Sequence, residues 1–235
     1  FCLSRGLGDV YKRQVLVLPL ILQSFGNAWV RIADTALLYV ILALGLNIVV
    51  GYAGLLDLGF VAFYAAGAYL FALMASPHLA QTFAGFAALF PNGLHTSLWV
   101  VIPLAMALAG FLGVLLGAPT LKLRGDYLAI VTLGFGEIVR IFLNNLDHPY
   151  NITNGPKGLN QIDSIHILGL NLGRPFDLFG YTIPSVTLYY YLFLFFVVLT
   201  IVICYRLQTS RVGRAWMAIR AVSYTHLTLP TTPYV

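Results

Sequence analysis

Charge is scarce in this sequence. Only 9% of its 235 residues are Asp, Glu, Lys or Arg, where a soluble domain carries about a quarter. Cysteine is scarcer still. Cys2 and Cys204 stand at opposite ends of the chain, which excludes a disulfide framework and a Cys-based zinc site. The five histidines are scattered through polar stretches without metal-ligand spacing, so no metal is expected. There is no GxxxxGK[ST] loop to cradle a nucleotide phosphate, so nucleotide chemistry is not expected on this chain, and no enzymatic activity either. The excess of positive charge, +5, flanks apolar runs and is not interleaved with aromatics, which argues for membrane anchoring and against nucleic acid. No fixed-period repeat is present.

What is present is apolar: 60% hydrophobic residues and a mean hydropathy of +0.86. The expected class is an all-α, polytopic transmembrane helix bundle with about six spans. The first is a short run from Val15 to Phe25, below the roughly 20 residues a full crossing needs. The second, Ile32–Val50, contains Asp34 and Asn47. Behind it, GYAGLLDLG brings Gly51, Gly54 and Gly59 together, and a broken or Gly-rich segment is expected near 51–59. Asp57 is placed to cap the third helix, about Leu58–Ala75, in which Ala62 and Ala66 form a narrow packing face. A connector, Ser76–Ser97, has room for a short interfacial helix at Phe83–Leu89. The fourth span, Leu98–Leu116, carries small residues at Ala109, Gly113 and Gly117 and is expected to end or kink at Pro119. The fifth is Tyr127–Leu143, with Thr132 and Gly136 on a narrow face. A long polar loop, Asn144–Ile183, follows, and the sixth span is Pro184–Tyr205, opening with Tyr189, Tyr190 and Tyr191 as an aromatic belt.

Inside the fifth span lie Glu137 and Arg140, three residues apart and so on one helix face. Ionisable groups at membrane depth are costly unless paired or turned inward, and they usually mark function. Asn47, Gly51, Gly54, Thr132, Glu137 and Arg140 are therefore the candidates for a translocation path or gate, with helix packing as the competing role for each. Orientation follows from the basic residues. Lys122, Arg124, Arg206, Arg211, Arg214 and Arg220 fall on one side, while the long loops opposite hold Lys157 and Arg174 against Asp147, Asp163 and Asp177. The first group is expected in the cytoplasm and both long loops outside.

Four stretches, GLNIVVGYAGLLDLGFVAFYAAGAYLFALM, LKLRGDYLAIVTLGFGEIVRI, ITNGPKGL and SRVGRAWMAIR, occur in the order seen in the LivM-type permease subunits of branched-chain amino-acid ABC importers. The chain resembles that family over nearly everything from 15 to 220. Asp57 departs from the small polar residue expected there. The resemblance implies a multi-pass subunit of the bacterial inner membrane, acting with a second permease subunit, two cytosolic ATP-binding subunits and a periplasmic amino-acid-binding protein. The substrates implied are leucine, isoleucine and valine. ATP and Mg would sit on the partner ATPases, with no cofactor on this chain. It also implies that Ser210, Arg211, Gly213, Arg214, Ala215, Trp216, Ala218, Ile219 and Arg220 begin a segment that docks into an ATPase. Residues 1–14 lack an initiating Met, and 221–235 turn Thr- and Pro-rich where the resemblance stops. Both are expected to be non-native tails around a partial permease domain, 15–220.

Two other functions fit parts of the pattern. A urea or short-amide ABC permease shares much of the scaffold. A stand-alone ion-coupled transporter could use Glu137 as a proton carrier, but it would need no basic docking segment after the last span.

Overall fold

The computed structural model describes residues 2–90, 93–120, 126–167, 170–178 and 181–218. It is mainly helical, and four of its helices are long and apolar enough to cross a membrane; two shorter apolar helices, Arg13–Phe25 and Val61–Met74, complete the six expected. The chain divides into two compact units, 1–45 with 172–210 and 46–171 with 211–235.

The first unit holds helix α1 (Cys2–Phe25), most of α2 (Asn27–Asn47), the hairpin β3–β4 and helix α8 (Ser185–Thr209). α1 is longer than the run from Val15 suggests, and it contains Pro19, which is fully buried. Proline has no amide hydrogen, so the carbonyl four residues earlier, that of Val15, loses its helical donor, and the ring crowds the same turn. In hydrocarbon such a carbonyl needs another partner. α8 supplies it: the Tyr190 hydroxyl donates to the Val15 carbonyl at 3.0 Å and the Tyr191 hydroxyl donates to that of Leu16 at 3.0 Å. Tyr190 is 1% exposed. These two tyrosines of the expected belt thus also fasten α1 to α8. The hairpin β3–β4 pairs Phe176 with Ile183 and Leu178 with Tyr181 in antiparallel register.

The second unit contains the π-helical turn Ile48–Ala53, helices α3 (Val61–Met74), α4 (His78–Thr82), α5 (Ala84–Leu89), α6 (Leu98–Thr120) and α7 (Asp126–Asn144), a 3-10 turn at Gly155–Lys157 and the hairpin β1–β2. α3 packs along α6 and also meets α7. Small residues make this possible: Ala62 and Ala72 are buried, and a side chain at Gly113 would come within 4.0 Å of the Phe63 ring. α6 runs one residue beyond Pro119, so the proline does not stop it earlier. The short helix expected at Phe83–Leu89 is α5, and a second short helix, α4, precedes it.

The two long loops meet. His78 Nε2 lies 3.1 Å from the Asn151 carbonyl, the Asp163 amide donates to the Ala75 carbonyl at 2.8 Å, and Phe83 stacks on Tyr150 with centroids 6.0 Å apart. Loops that cross-link in this way lie on one side of the membrane, as the charge distribution requires. Within the Asn144–Ile183 loop the stretch 151–158 forms an ordered turn, as its composition suggests. Thr153 is buried and donates to the Leu143 carbonyl at 2.7 Å, and Asn154 takes a left-handed conformation (φ 60°) with its amide donating to Asn151 Oδ1. β1–β2 pairs His166 with Asn171.

The Pro19–tyrosine arrangement generates the first prediction. Tyr190→Phe keeps the ring but removes the donor to Val15. The expected loss of stability is roughly 1 kcal/mol, the size of interhelical hydrogen bonds in membranes, measured by unfolding of the detergent-solubilised chain. A second substitution, Pro19→Ala, returns an amide to the helix. It should cancel most of that loss when combined with Tyr190→Phe. Losses that stay independent of each other would contradict the assignment.

Candidate functional site

The glycine-rich break is built from its backbone outward. α2 ends at Asn47 and the chain continues as a π-turn through Ala53, until Gly54 adopts a left-handed conformation (φ 70°, ψ 20°). Glycine reaches this region without the steric cost other residues bear. The amides of Gly54 and Leu55 both donate to the Val49 carbonyl, the second at 3.4 Å. Asn47 folds its carboxamide over Gly51, where a Cβ would come within 2.5 Å of Asn47 Oδ1. A flexible side chain can swing aside, so this contact constrains position 51 only softly.

Gly59 is constrained by backbone. A Cβ there would meet the Thr132 carbonyl oxygen at 2.5 Å, and a Cβ on Gly136 would come within 3.4 Å of the Gly59 Cα. Gly59 is buried, and the turn 57–59 lies directly on α7. The Leu58 amide donates to Thr132 Oγ1 at 3.1 Å, while that hydroxyl donates to the Ala129 carbonyl at 3.1 Å. The Gly59 amide donates to Asp57 Oδ1 at 2.8 Å. Asp57 thus closes a local turn rather than capping α3, whose N-cap, Phe60, has no side-chain hydrogen bond. The helix starts three residues later than the composition suggests. At 14 residues it is about 21 Å long, short of the roughly 30 Å hydrocarbon core, and the irregular stretch 54–60 makes up the difference. Thr132 lies six positions into α7, or about 9 Å along it, so the break sits within the span.

α7 turns its packed stripe, Leu128, Ala129, Thr132 and Gly136, toward α3 and the break. Glu137 and Arg140 are exposed, Arg140 along the border of this stripe, one turn from Gly136, and Glu137 farther round the helix. They pair as their spacing predicts, Arg140 Nη1 donating to Glu137 Oε1 at 3.0 Å, with side chains 72% exposed for Arg140 and 55% for Glu137. The structure therefore groups Asn47, Gly51 and Gly54 along one run of chain, brings Thr132 to the far end of that run, and sets the ion pair apart. Gly59 and Leu58 were missing from the sequence-derived set. The third glycine of the cluster was the signal for them.

At the other candidate region, Ser210 leaves helical geometry (ψ 166°), ends α8 and donates its hydroxyl to the Leu207 carbonyl at 2.6 Å. Residues 211–218 are helical again. Gly213 is buried, Trp216 half-buried, and Arg211, Arg214, Ala215 and Ala218 exposed. Ile219 and Arg220 lie outside the described residues, as do Lys122 and Arg124. Among the described residues no cluster of three or more His, Cys, Asp or Glu could hold a metal ion.

A family model described as "Branched-chain amino acid transport system / permease component" matches residues 29–223. The chain belongs to that family. The permease is 40% identical over 234 residues to the "High-affinity branched-chain amino acid transport system permease protein LivM" of Escherichia coli (strain K12), and equally so to the protein of the same name from Salmonella typhimurium. Each match covers 91% of this chain and 50% of the relative, so the chain spans half the length of the curated relatives it matches. No solved structure matches. The family is a transport component rather than an enzyme, and a component of a transport system works with other subunits. Its apolar helices make this permease an integral protein of the inner membrane.

The exposed ion pair yields a prediction. Pairs this open contribute about 0–1 kcal/mol, whereas breaking a buried pair costs about 3–5 kcal/mol. In the isolated, solubilised chain, a double-mutant cycle of Glu137→Ala and Arg140→Ala, read by denaturant unfolding, should give a coupling within the lower range. A coupling in the upper range would mean that the face carrying the pair is covered.

Proposed function

We propose that this chain is the membrane-spanning core of a permease subunit in an ATP-driven importer that moves leucine, isoleucine or valine into the bacterial cell. The observation that carries this reading is the family match over residues 29–223. The geometry supports it through a helix broken within the span, where the amides of Gly54, Leu55, Leu58 and Gly59 find partners inside the protein. Irregular backbone at membrane depth is tolerated where protein surrounds it or where it lines a cavity, and transporters use it at substrate paths.

In this reading Asn47, Gly51, Gly54 and Thr132 border the path, and Glu137 and Arg140 act in gating or in contact with neighbouring helices. A second permease subunit completes the path, and a periplasmic binding protein delivers the amino acid to the face made by the long loops. Two cytosolic subunits bind ATP and Mg, and this chain binds no cofactor. Ser210, Arg211, Gly213, Arg214, Ala215, Trp216, Ala218, Ile219 and Arg220 form the start of the segment that docks with an ATPase. Two features support the last assignment. The chain breaks at Ser210 and restarts as a separate helix, and that helix combines exposed arginines with a half-buried tryptophan, the residue types that anchor interfaces.

The test places Trp216→Ala and Gly213→Arg in a full-length permease co-expressed with its ATPase and binding-protein subunits. Both should abolish ATP hydrolysis stimulated by the binding protein while leaving membrane levels of the permease unchanged. Normal stimulation in both variants would contradict docking and assign the segment to the lipid surface, which suits the same amphipathic character.

A further inference from the structure

A cavity of about 380 Å³ opens where α3 ends and α6 begins, at the small end of the roughly 300–1,000 Å³ range of ligand sites. Its lining is divided by chemistry. Phe71, Ala75, Leu98 and Ile165 supply apolar surface, and His95 and Asp163 supply one base and one acid. These two are in direct contact, His95 Nδ1 with Asp163 Oδ2. Hydroxyls of Thr96, Ser97 and Ser164 complete the rim, and His166 on β1 is the other titratable group there.

The walls are held together by main chain. The Thr96 amide and hydroxyl both donate to the Met74 carbonyl, at 3.3 and 3.1 Å, and the Asp163 amide donates to that of Ala75 at 2.8 Å. Three segments distant in sequence are thereby fixed around one cavity before any ligand arrives. His95 itself is held at φ 41°, a conformation uncommon outside glycine that clusters at ligand clamps.

We propose that this cavity is an outer receiving site for a free amino acid with an aliphatic side chain. The ammonium group takes Asp163, the carboxylate takes a ring N–H of His95, and the side chain lies on Phe71, Ala75, Leu98 and Ile165. The His95–Asp163 pair is solvent-exposed, its side chains 46% and 41% accessible, so it is weakly held. A zwitterion entering between the two gives Asp163 a cation and His95 a hydrogen-bond acceptor. A charged ligand side chain would be pressed against apolar surface without compensation, which excludes lysine and glutamate. The proposal rests on the permease reading for the presence of such a ligand on the side of the long loops.

Equilibrium binding of tritiated leucine to the chain in lipid nanodiscs tests it. Saturable binding is expected, displaced by valine and isoleucine. Asp163→Asn and Leu98→Trp should each weaken it at least tenfold. 4-Methylpentanoate and 3-methylbutylamine keep the aliphatic group with one charge each, and they should displace leucine at least tenfold less well than leucine itself. This ligand series needs no substitution, so it decides the matter even if a variant fails to fold. No saturable binding by the unaltered chain would overturn the site. So would unchanged affinity in both folded variants, or displacement by lysine or glutamate as effective as by leucine. Any of these leaves the permease reading intact, because that reading stands or falls on ATPase stimulation.

Discussion

The structure of the second unit depends on where the backbone of residues 54–60 finds its hydrogen bonds. Hydrocarbon offers no partners, so each exposed amide there must be satisfied by protein. Val49 serves Gly54 and Leu55, Asp57 serves Gly59, and Thr132 serves Leu58. Only the last reaches another helix. Thr132 can do this because its hydroxyl accepts from Leu58 while donating to its own helix at Ala129, and because Gly59 and Gly136 allow the turn to lie flat on α7. One threonine and two glycines thus fix the depth at which the helix is interrupted. The start of α3 follows from that depth, and with it the packing of α3 on α6.

The same requirement operates in the first unit with different chemistry. Pro19 removes a donor from α1, and two tyrosines of α8 restore donors from outside the helix. In both units a local defect in one helix becomes a specific attachment to another. Apolar contact alone would not distinguish one helix rotation from the next, because lipid tails are as apolar as leucine. Defects repaired by a named partner do distinguish them. They also give the amides of Gly54, Leu55, Leu58 and Gly59 partners inside the protein.

The helical class, the six apolar segments and the position of the break were legible in the sequence, because hydropathy, small-residue spacing and glycine clustering are local signals. The Glu137–Arg140 pair was legible too, since i,i+3 geometry brings the groups together in any helix. Its exposure was not, because which face of α7 packs is decided by Gly59 and Thr132, 73 positions apart in sequence (132 minus 59). Asp57 looked like a helix cap because its type fits one; the later start of α3 turned it into a turn-former. The fastening by Tyr190 and Tyr191 was not legible, because composition cannot show that Pro19 has left a carbonyl open opposite them. The two hairpins and the cavity at His95 and Asp163 depend on contacts between distant loops, to which periodicity is blind.

Thr132 also joins the parts of the candidate site, since it belongs to the proposed path and holds the break in place. The most direct test is amide hydrogen exchange at Leu58 in the nanodisc-embedded chain, compared among the unaltered protein, Thr132→Ser and Thr132→Val. If Thr132 Oγ1 satisfies that amide, exchange is slow in the unaltered chain and in Thr132→Ser, which keeps the hydroxyl. It accelerates at least tenfold in Thr132→Val, which keeps the shape and loses the acceptor. Equal exchange rates in all three would mean that the Leu58 amide is satisfied elsewhere, and that the break is not held by α7.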